Sequence, residues 1–448
     1  MKRYLFFLRH FNDIDNISPA IYFFLIKDPK HLVDVIIYSN DYIFKNDPNL
    51  NYIISKFPGR VTITSLGSIE NNILNFENAT SSTKNTIKKL LLKIFKDSNG
   101  KAYNYFKKLF RSYNKIIKFI YSKLTNLKSN STDQNIKNSI DFILSKKPFP
   151  KAVIFDLNRS GQVESILKTL RSNGVNKIIC LPVSPLINYN ILRTKDETDI
   201  FSERFRKRYD YSGFDAIGFV DHFFVDSYNE FFEAINIKSY LKNKTKSLGS
   251  IRYCHDWISI RDKYVQKKNI DKGRNKIKIV FFLSRFVTNV NINEFKKTLS
   301  ILSNFNDFEI IIKAHTRSDI EELYLHHDWQ NKFVNGSEYD SSDLIDWSDI
   351  VMFWSTSVAM EGYLKKKIMV CLNYMSTNRN LYARFNAGFI ANCRDDLFLF
   401  LNQYSSTHKL RKYNYSGCED LINHVVYKGS KSISIPQLYL DFIESNEF

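Results

Sequence analysis

The stretch 276–317, KIKIVFFLSRFVTNVNINEFKKTLSILSNFNDFEIIIKAHTR, decides the fold. Lys276–Leu283 is a short apolar run without helical period, which predicts a strand buried on both faces. Asn293–Ser303 repeats apolar residues at helical spacing, and Phe308–Ala314 returns to a buried run. Strand, helix and strand in that order form the unit of a parallel sheet. In open sheets of this kind ligands sit at the carboxyl ends of the strands. The polar groups that follow the two strands, Ser284-Arg285 and Lys313-Ala314-His315-Thr316-Arg317, are therefore the first binding candidates.

The alternation extends in both directions. Downstream, Asp319–His327 and Ser357–Leu364 read as helices, Ile350–Trp354 and Ile368–Leu372 as strands, and Gly388–Asn392 with Asp396–Tyr404 as one more pair. Upstream, Lys2–Leu8, Val33–Tyr38, Val61–Leu66, Ala152–Leu157, Lys177–Leu181 and Asp215–Val220 read as strands. Ser18-Pro19 reads as the N-cap and first turn of a helix, and Val163–Arg171 as another helix. The polar, charged segment Lys263–Lys276 is the best boundary. The expected fold is thus α/β, with two Rossmann-like domains facing a cleft. Residues 1–262 form the first domain, with a basic helical insertion at about 84–147, residues 263–276 the linker, and residues 277–448 the second domain. No solenoid repeat is visible.

Composition excludes several classes. The chain has 448 residues, 44% hydrophobic and 25% charged, which are globular proportions. Gly (14) and Pro (9) are scarce, so long linkers and Gly-rich cofactor loops are not expected. No Gly-x-Gly-x-x-Gly, Walker loop or His-Glu-x-x-His occurs, which removes the usual supports for dehydrogenase, P-loop and zinc-protease readings. Five scattered cysteines without a zinc spacing read as reduced thiols. No run of about 18 apolar residues predicts a spanning helix, and the start of the chain does not read as a signal peptide. A cytoplasmic protein is expected, or one peripheral on the inner face of the membrane.

Four clusters carry candidate chemistry. Arg9-His10-Phe11-Asn12-Asp13-Ile14-Asp15 follows the first strand. Asp13, Asp15 or His10 there suits a general base acting on an acceptor hydroxyl. The Asp-x-Asp pair also fits a divalent cation, and an Asx-type turn before Ser18 is the plain alternative. Ser284 and Arg285 suit a phosphate gripped in fork geometry, against an ordinary exposed arginine. Lys313, His315 and Arg317 gather three cationic or hydrogen-bonding groups at one strand end, with Lys313 and His315 on one side of it. Ser355, Thr356 and Ser357 precede a helix whose free N–H groups and dipole favour an anion. Glu361, one turn into that helix, is placed to accept ribose hydroxyls, or simply completes a capping box.

With these residues in place, the sequence resembles GT-B-fold bacterial surface-polysaccharide glycosyltransferases. The likeness is to CMP-sialic acid and CMP-Kdo transferases and to CDP-glycerol glycerophosphotransferases. Those carry a His-Pro pair at the end of the second strand of the C-terminal domain and a later Ser-Ser or Ser-Thr motif. His315 stands where that histidine would, with Thr316 in place of the proline, and Ser355-Thr356-Ser357 matches the later motif. The resemblance implies that these residues hold the donor's phosphate and ribose. It implies that residues 1–262 bind the acceptor and residues 277–448 the nucleotide donor, and that a catalytic carboxylate comes from the first domain, with Asp13 and Asp15 as candidates. It also implies a last helix, Pro436–Glu444, that crosses back onto the first domain.

The expected activity is transfer of a sugar from a nucleotide donor, such as a CMP-linked sugar, to a capsule or lipopolysaccharide acceptor, free or lipid-linked. A polyol-phosphate transferase and a nucleotide-sugar epimerase are the alternatives among enzymes. A basic membrane- or nucleic-acid-binding protein is the alternative outside them. No metal or other cofactor is expected. The net charge is +19, and between Lys84 and Lys128 thirteen Lys/Arg face one acid, Asp97. Apolar residues recur through that segment at helical spacing, which predicts basic amphipathic helices that either pack on the core or dock on an anionic membrane surface. No RNA- or DNA-reading motif accompanies the charge, so no nucleic-acid partner is expected.

Overall fold

The computed structural model describes residues 1–9, 11–38, 47–66, 136–156, 161–181, 188–191, 219–225, 244–265, 270, 276–284, 290–315, 332–376, 378–430 and 432–445. The first half builds a seven-stranded sheet from β1 (Lys2–Leu8), β2 (His31–Ile37), β3 (Val61–Ser65), β4 (Pro150–Asp156), β5 (Ile178–Leu181), β7 (His222–Val225) and β8 (Thr245–Ser247). Its order is β3-β2-β1-β4-β5-β7-β8, and every neighbouring pair is parallel. The second half builds a six-stranded parallel sheet from β9 (Ile277–Phe282), β10 (Phe308–Lys313), β11 (Val334–Asn335), β12 (Ile350–Phe353), β13 (Ile368–Leu372) and β15 (Phe389–Ala391). Its order is β11-β10-β9-β12-β13-β15. A separate antiparallel ribbon pairs β6 (Asn188–Ile191) of the first half with β14 (Asn378–Asn380) of the second.

Burial on both faces explains the unbroken apolar runs. Along β1, Tyr4, Phe6 and Leu8 enter one core and Leu5 and Phe7 the other, each fully buried. The first of these cores is shared. It runs from Phe6 and Leu8 through Trp257 and Tyr439 to Val280 and Phe282 on β9, so one apolar cluster joins the two sheets. The helices covering the sheets are α1 (Phe11–Lys27), α2 (Pro48–Lys56), α3 (136–145), α4 (Gly161–Ser172), α5 (His255–Tyr264), α6 (Ile292–Leu302), α7 (Ser341–Trp347), α8 (Ala359–Leu364), α9 (Leu381–Arg384), α10 (Arg394–Thr407), α11 (Tyr415–Val425) and α12 (Ile435–Glu444).

At the amino edge of the first sheet the polar groups hold the structure together. Arg3 donates to Asp34 (Nε to Oδ2, 2.7 Å) and to the carbonyls of Ile143 and Lys146, both at 2.8 Å. Helix α12 closes over the same edge. Lys177 Nζ donates to the carbonyls of Phe442 (3.0 Å) and Ser445 (2.6 Å), Lys151 Nζ to that of Glu444 (3.1 Å). The Glu444 carboxylate lies 2.9 Å from His31 Nε2 and 3.0 Å from Lys27 Nζ. Cations at a helix C-terminus complement its dipole.

Two expected elements differ. The first helix does not begin at Ser18-Pro19. It begins at Phe11, and Pro19 lies inside it. The Asp13 carboxylate accepts the Arg9 N–H at 3.0 Å, which closes the turn two positions after the helix starts. Pro19 then removes one helical hydrogen bond without ending the helix. The strand expected at Asp215–Val220 is not one at Phe219 and Val220; the strand is β7, beginning at His222, and residues 215–218 lie outside the described residues. The basic insertion also lies outside them as far as residue 135, leaving only 136–145 as described helix.

Candidate functional site

Chain order locates the site within each sheet. From β9 the chain moves outward to β10 and β11, then returns to the other side of β9 as β12. The crevice at the carboxyl ends of β9 and β12 is thus a switch point, where ligands of such sheets sit. The first sheet has the same arrangement at β1 and β4.

At the second switch point, three successive peptides are fixed in orientation. Ser284, just past β9, donates its hydroxyl to the carbonyl of Ser355. Tyr382 OH donates to the carbonyl of Thr356 at 2.7 Å, and Tyr253 OH to that of Ser357 at 2.9 Å. Ser284, Tyr253 and Tyr382 are all buried. In a trans peptide the N–H points opposite to the C=O. Tying the carbonyls of 355, 356 and 357 therefore turns the N–H groups of Thr356, Ser357 and Val358 the other way. Those N–H groups donate to none of the described residues, and the turn is half-buried. The result is a row of oriented backbone donors at a strand end, a concavity suited to an oxyanion.

This arrangement corrects the expected helix start. Helix α8 begins at Ala359, after the hydroxyl residues, and no side chain caps it. The N–H groups of Ala359, Met360 and Glu361 donate back to Thr356, Ser357 and Val358. The donors left for an anion are those of the turn, one peptide earlier than the helix-start reading places them.

Glu361 is buried, and its Oε1 accepts from Arg261 (2.5 Å) and Ser342 (2.5 Å) and lies 3.0 Å from Lys365 Nζ. All of these contacts fall on Oε1; Oε2 meets no donor among the described residues. Burial by itself raises the carboxyl, but Arg261, Lys365 and the Ser342 hydroxyl outweigh it and hold it down to about 2. Glu361 is therefore an anion that ties α8 to α5 and α7, with one oxygen left over. Lys313 was expected to meet phosphate. Its ammonium instead donates to the carbonyls of Gly336 (3.3 Å) and Tyr339 (2.5 Å), because the end of β10 abuts the 336–339 loop. His315 stands two residues beyond β10, while Arg285 and Arg317 lie outside the described residues.

The first switch point is different. Asp13 is fully buried, its Oδ2 accepting from the Arg9 backbone. Asp15 forms an ion pair with Arg252 and accepts from Asn49 Nδ2 at 3.4 Å. The two sit at i and i+2 on α1, where side chains do not face each other, so the Asp-x-Asp pair does not form a chelate. Among the described residues no group of three or more His, Cys, Asp or Glu is placed to hold a metal ion. His10 lies outside the described residues. Sequence reasoning passed over Asp156, the last residue of β4, which stands beside β1 at the carboxyl edge. An aspartate ending a buried apolar run was the available signal. It also passed over Tyr253 and Tyr382, whose role comes from partners distant in sequence.

Solved structures share this architecture. The chain aligns with UDP-GlcNAc 2-epimerase from Neisseria meningitidis bound to UDP-GlcNAc at a TM-score of 0.51 and 11% identity, covering 99% of each chain. It aligns with the glycotransferase of kitacinnamycin at 0.51 and 9%, again over 99% of each chain. With the Staphylococcus aureus MnaA–UDP structure the values are 0.50 and 12%, over 96% of this chain and 97% of that one. The sequence matches no protein-family model and no curated protein. At these identities the likeness shows the fold, two Rossmann-like domains facing a cleft in the GT-B arrangement.

Proposed function

We propose that the protein is a GT-B-type glycosyltransferase that moves a sugar from a nucleotide donor to a bacterial surface glycan. The oriented N–H groups of Thr356, Ser357 and Val358 carry the reading. They are preorganised donors at a switch point, and donors aimed at developing charge stabilise a departing nucleotide phosphate without reorganising. His315, Arg285 and Arg317 follow strand ends on the same sheet and are the charged groups proposed to join them. Ser284 holds the turn, and the second oxygen of Glu361 is proposed to accept a ribose hydroxyl.

The first domain would hold the acceptor. Its general base is proposed among Asp156, His10 and Asp13 at the β1–β4 edge. Asp15 leaves that set because its carboxylate is already paired with Arg252. The basic segment Lys84–Lys128 would bring the protein to an anionic inner membrane surface where a lipid-linked acceptor is presented. No helix among the described residues is long and apolar enough to cross a membrane.

A thermal-shift panel of CMP, CDP, UDP, GDP and their sugar conjugates tests the reading. A cognate nucleotide at 100 times its Kd adds about 2.7 kcal/mol of stability. If every nucleotide leaves the transition unmoved, the donor site is wrong. Incubation of the cognate donor alone then separates the alternatives: an epimer formed without acceptor would make the protein an epimerase of the same fold.

A further inference from the structure

We propose that Arg252 and Tyr253 form a positioning strap that holds the two walls of the cleft in register, one residue gripping each wall. The inference rests on the anion-site reading of the Ser355–Val358 turn. Tyr253 donates its hydroxyl to the Ser357 carbonyl at 2.9 Å, which sets the direction of the Val358 N–H. Arg252, the preceding residue, pairs with Asp15 on α1, and its guanidinium lies 4.9 Å from the Tyr253 ring centroid. Adjacent side chains thus reach the first-domain helix and the second-domain turn.

The strap is itself anchored. Tyr439 OH donates to the Gly249 carbonyl at 2.9 Å, and Ser250 N–H to the Val426 carbonyl at 3.2 Å. Gly249 has φ +75°, and a Cβ there would stand 2.2 Å from the Val426 oxygen, so no other residue fits this bend. On the far side, Tyr264 OH donates to Asn49 Oδ1 at 2.5 Å, and Asn49 donates to Asp15. Burial pushes the Tyr253 hydroxyl up to about 12, so it remains a donor across the working range of pH. A strap fixed at its base transmits displacement at one end to the other, because packed elements shift between discrete arrangements rather than deform smoothly.

The test compares nucleotide affinity with stability in Tyr253→Phe, Asp15→Asn, the double variant and the control Tyr413→Phe. Tyr413 also donates, from a half-buried position, to a carbonyl, that of Lys367 at 3.3 Å, away from the turn. With CMP, CDP, UDP and GDP as probes, Tyr253→Phe is expected to raise Kd about tenfold, as one lost hydrogen bond does. Tyr413→Phe should lower the Tm by a similar amount as Tyr253→Phe and leave Kd unchanged. Asp15→Asn should raise Kd about threefold, and the double variant should be no weaker than Tyr253→Phe, since both act through one strap. Unchanged Kd in Tyr253→Phe, or full additivity in the double variant, overturns the strap. If wild type binds no probe, the anion-site reading fails. The strap is then judged by hydrogen exchange of the Ala359–Glu361 amides, which must quicken in Tyr253→Phe but not in Tyr413→Phe.

Discussion

The two sheets have the same switch-point topology but arm it differently. At β9–β12 the polar groups that the turn presents are backbone N–H donors, turned outward because Ser284, Tyr382 and Tyr253 hold their carbonyls. At β1–β4 the conspicuous groups are carboxylates, and two of them are occupied: Asp13 within its own helix turn and Asp15 by Arg252. Residue type alone therefore overcounts the first edge and undercounts the second. A carboxylate is visible in sequence, whereas its partner is not. Free N–H groups can be expected near a helix start, but the direction in which they point is not visible until their carbonyls are seen to be tied.

The largest expected effect breaks the comparison at the first edge. Asp156→Asn preserves shape and removes basicity, and loss of a general base costs about 100- to 10,000-fold in turnover. Asp15→Asn should cost far less, because Asp15 anchors rather than reacts. Steady-state kinetics with the donor identified by thermal shift decides. Equal losses in both variants would return Asp15 to the catalytic set, and full activity in Asp156→Asn would remove Asp156.

The next effect concerns the buried ions beneath the second edge. Glu361→Gln removes the buried anion that Arg261 and Lys365 share, and breaking a buried pair typically costs about 3–5 kcal/mol. Asp346, 2.7 Å from Lys365, and Asp262, 3.6 Å from Arg261, hold the loss to the lower end of that range. The pH dependence has a definite sign. The Glu361 carboxyl titrates at about 2 in the fold against an ordinary 4.5. The unfolded chain therefore takes up the proton first. The stabilisation is complete above pH 4.5 and is lost as the pH falls from 4.5 toward 2. Urea unfolding at pH 7 and at pH 3 should show the gap between wild type and Glu361→Gln narrowing at the lower pH. A gap independent of pH would mean that the carboxylate is not the stabilising group.

Much of the architecture was legible because burial on both faces leaves a mark in the sequence. The runs at Lys2–Leu8, Lys276–Leu283 and Ile368–Leu372 lack a helical period, as strands of a parallel sheet buried on both faces do. The first helix start was misread because Ser-Pro is a strong local signal, while Asp13 closing on Arg9 is a contact that residue type does not announce. Ser355-Thr356-Ser357 was legible as a strand-end turn with free N–H groups, but those groups were assigned to a helix start at Ser357, two residues before the helix begins. The groups that orient it, Tyr253 and Tyr382, lie 104 and 26 residues from the carbonyls they hold. Nothing in their local sequence marks them.

The smallest expected effect lies at the amino edge of the first sheet, where polar groups serve stability alone. Lys177 holds the last carbonyls of α12. Burial lowers its ammonium to about 8, the nearby Lys151 adds to the shift, and Asp221 opposes it. Because the folded value lies below the unfolded 10.5, the unfolded chain binds the extra proton between pH 8 and 10.5, and stability rises with pH through that window. Lys177→Met removes two hydrogen bonds, each worth about 1 kcal/mol, and also removes a buried charge. The two changes oppose each other, so the net change at pH 7 should stay within about 1 kcal/mol. The difference between wild type and variant, read from urea midpoints at pH 7.5 and 9.5, should then shift in favour of wild type at the higher pH. Nucleotide affinity should not move, because this edge lies across the sheet from the switch point. A change in affinity would mean that the last turn of α12 passes strain through Tyr439 to the Gly249–Tyr253 segment, and that the two edges are not independent.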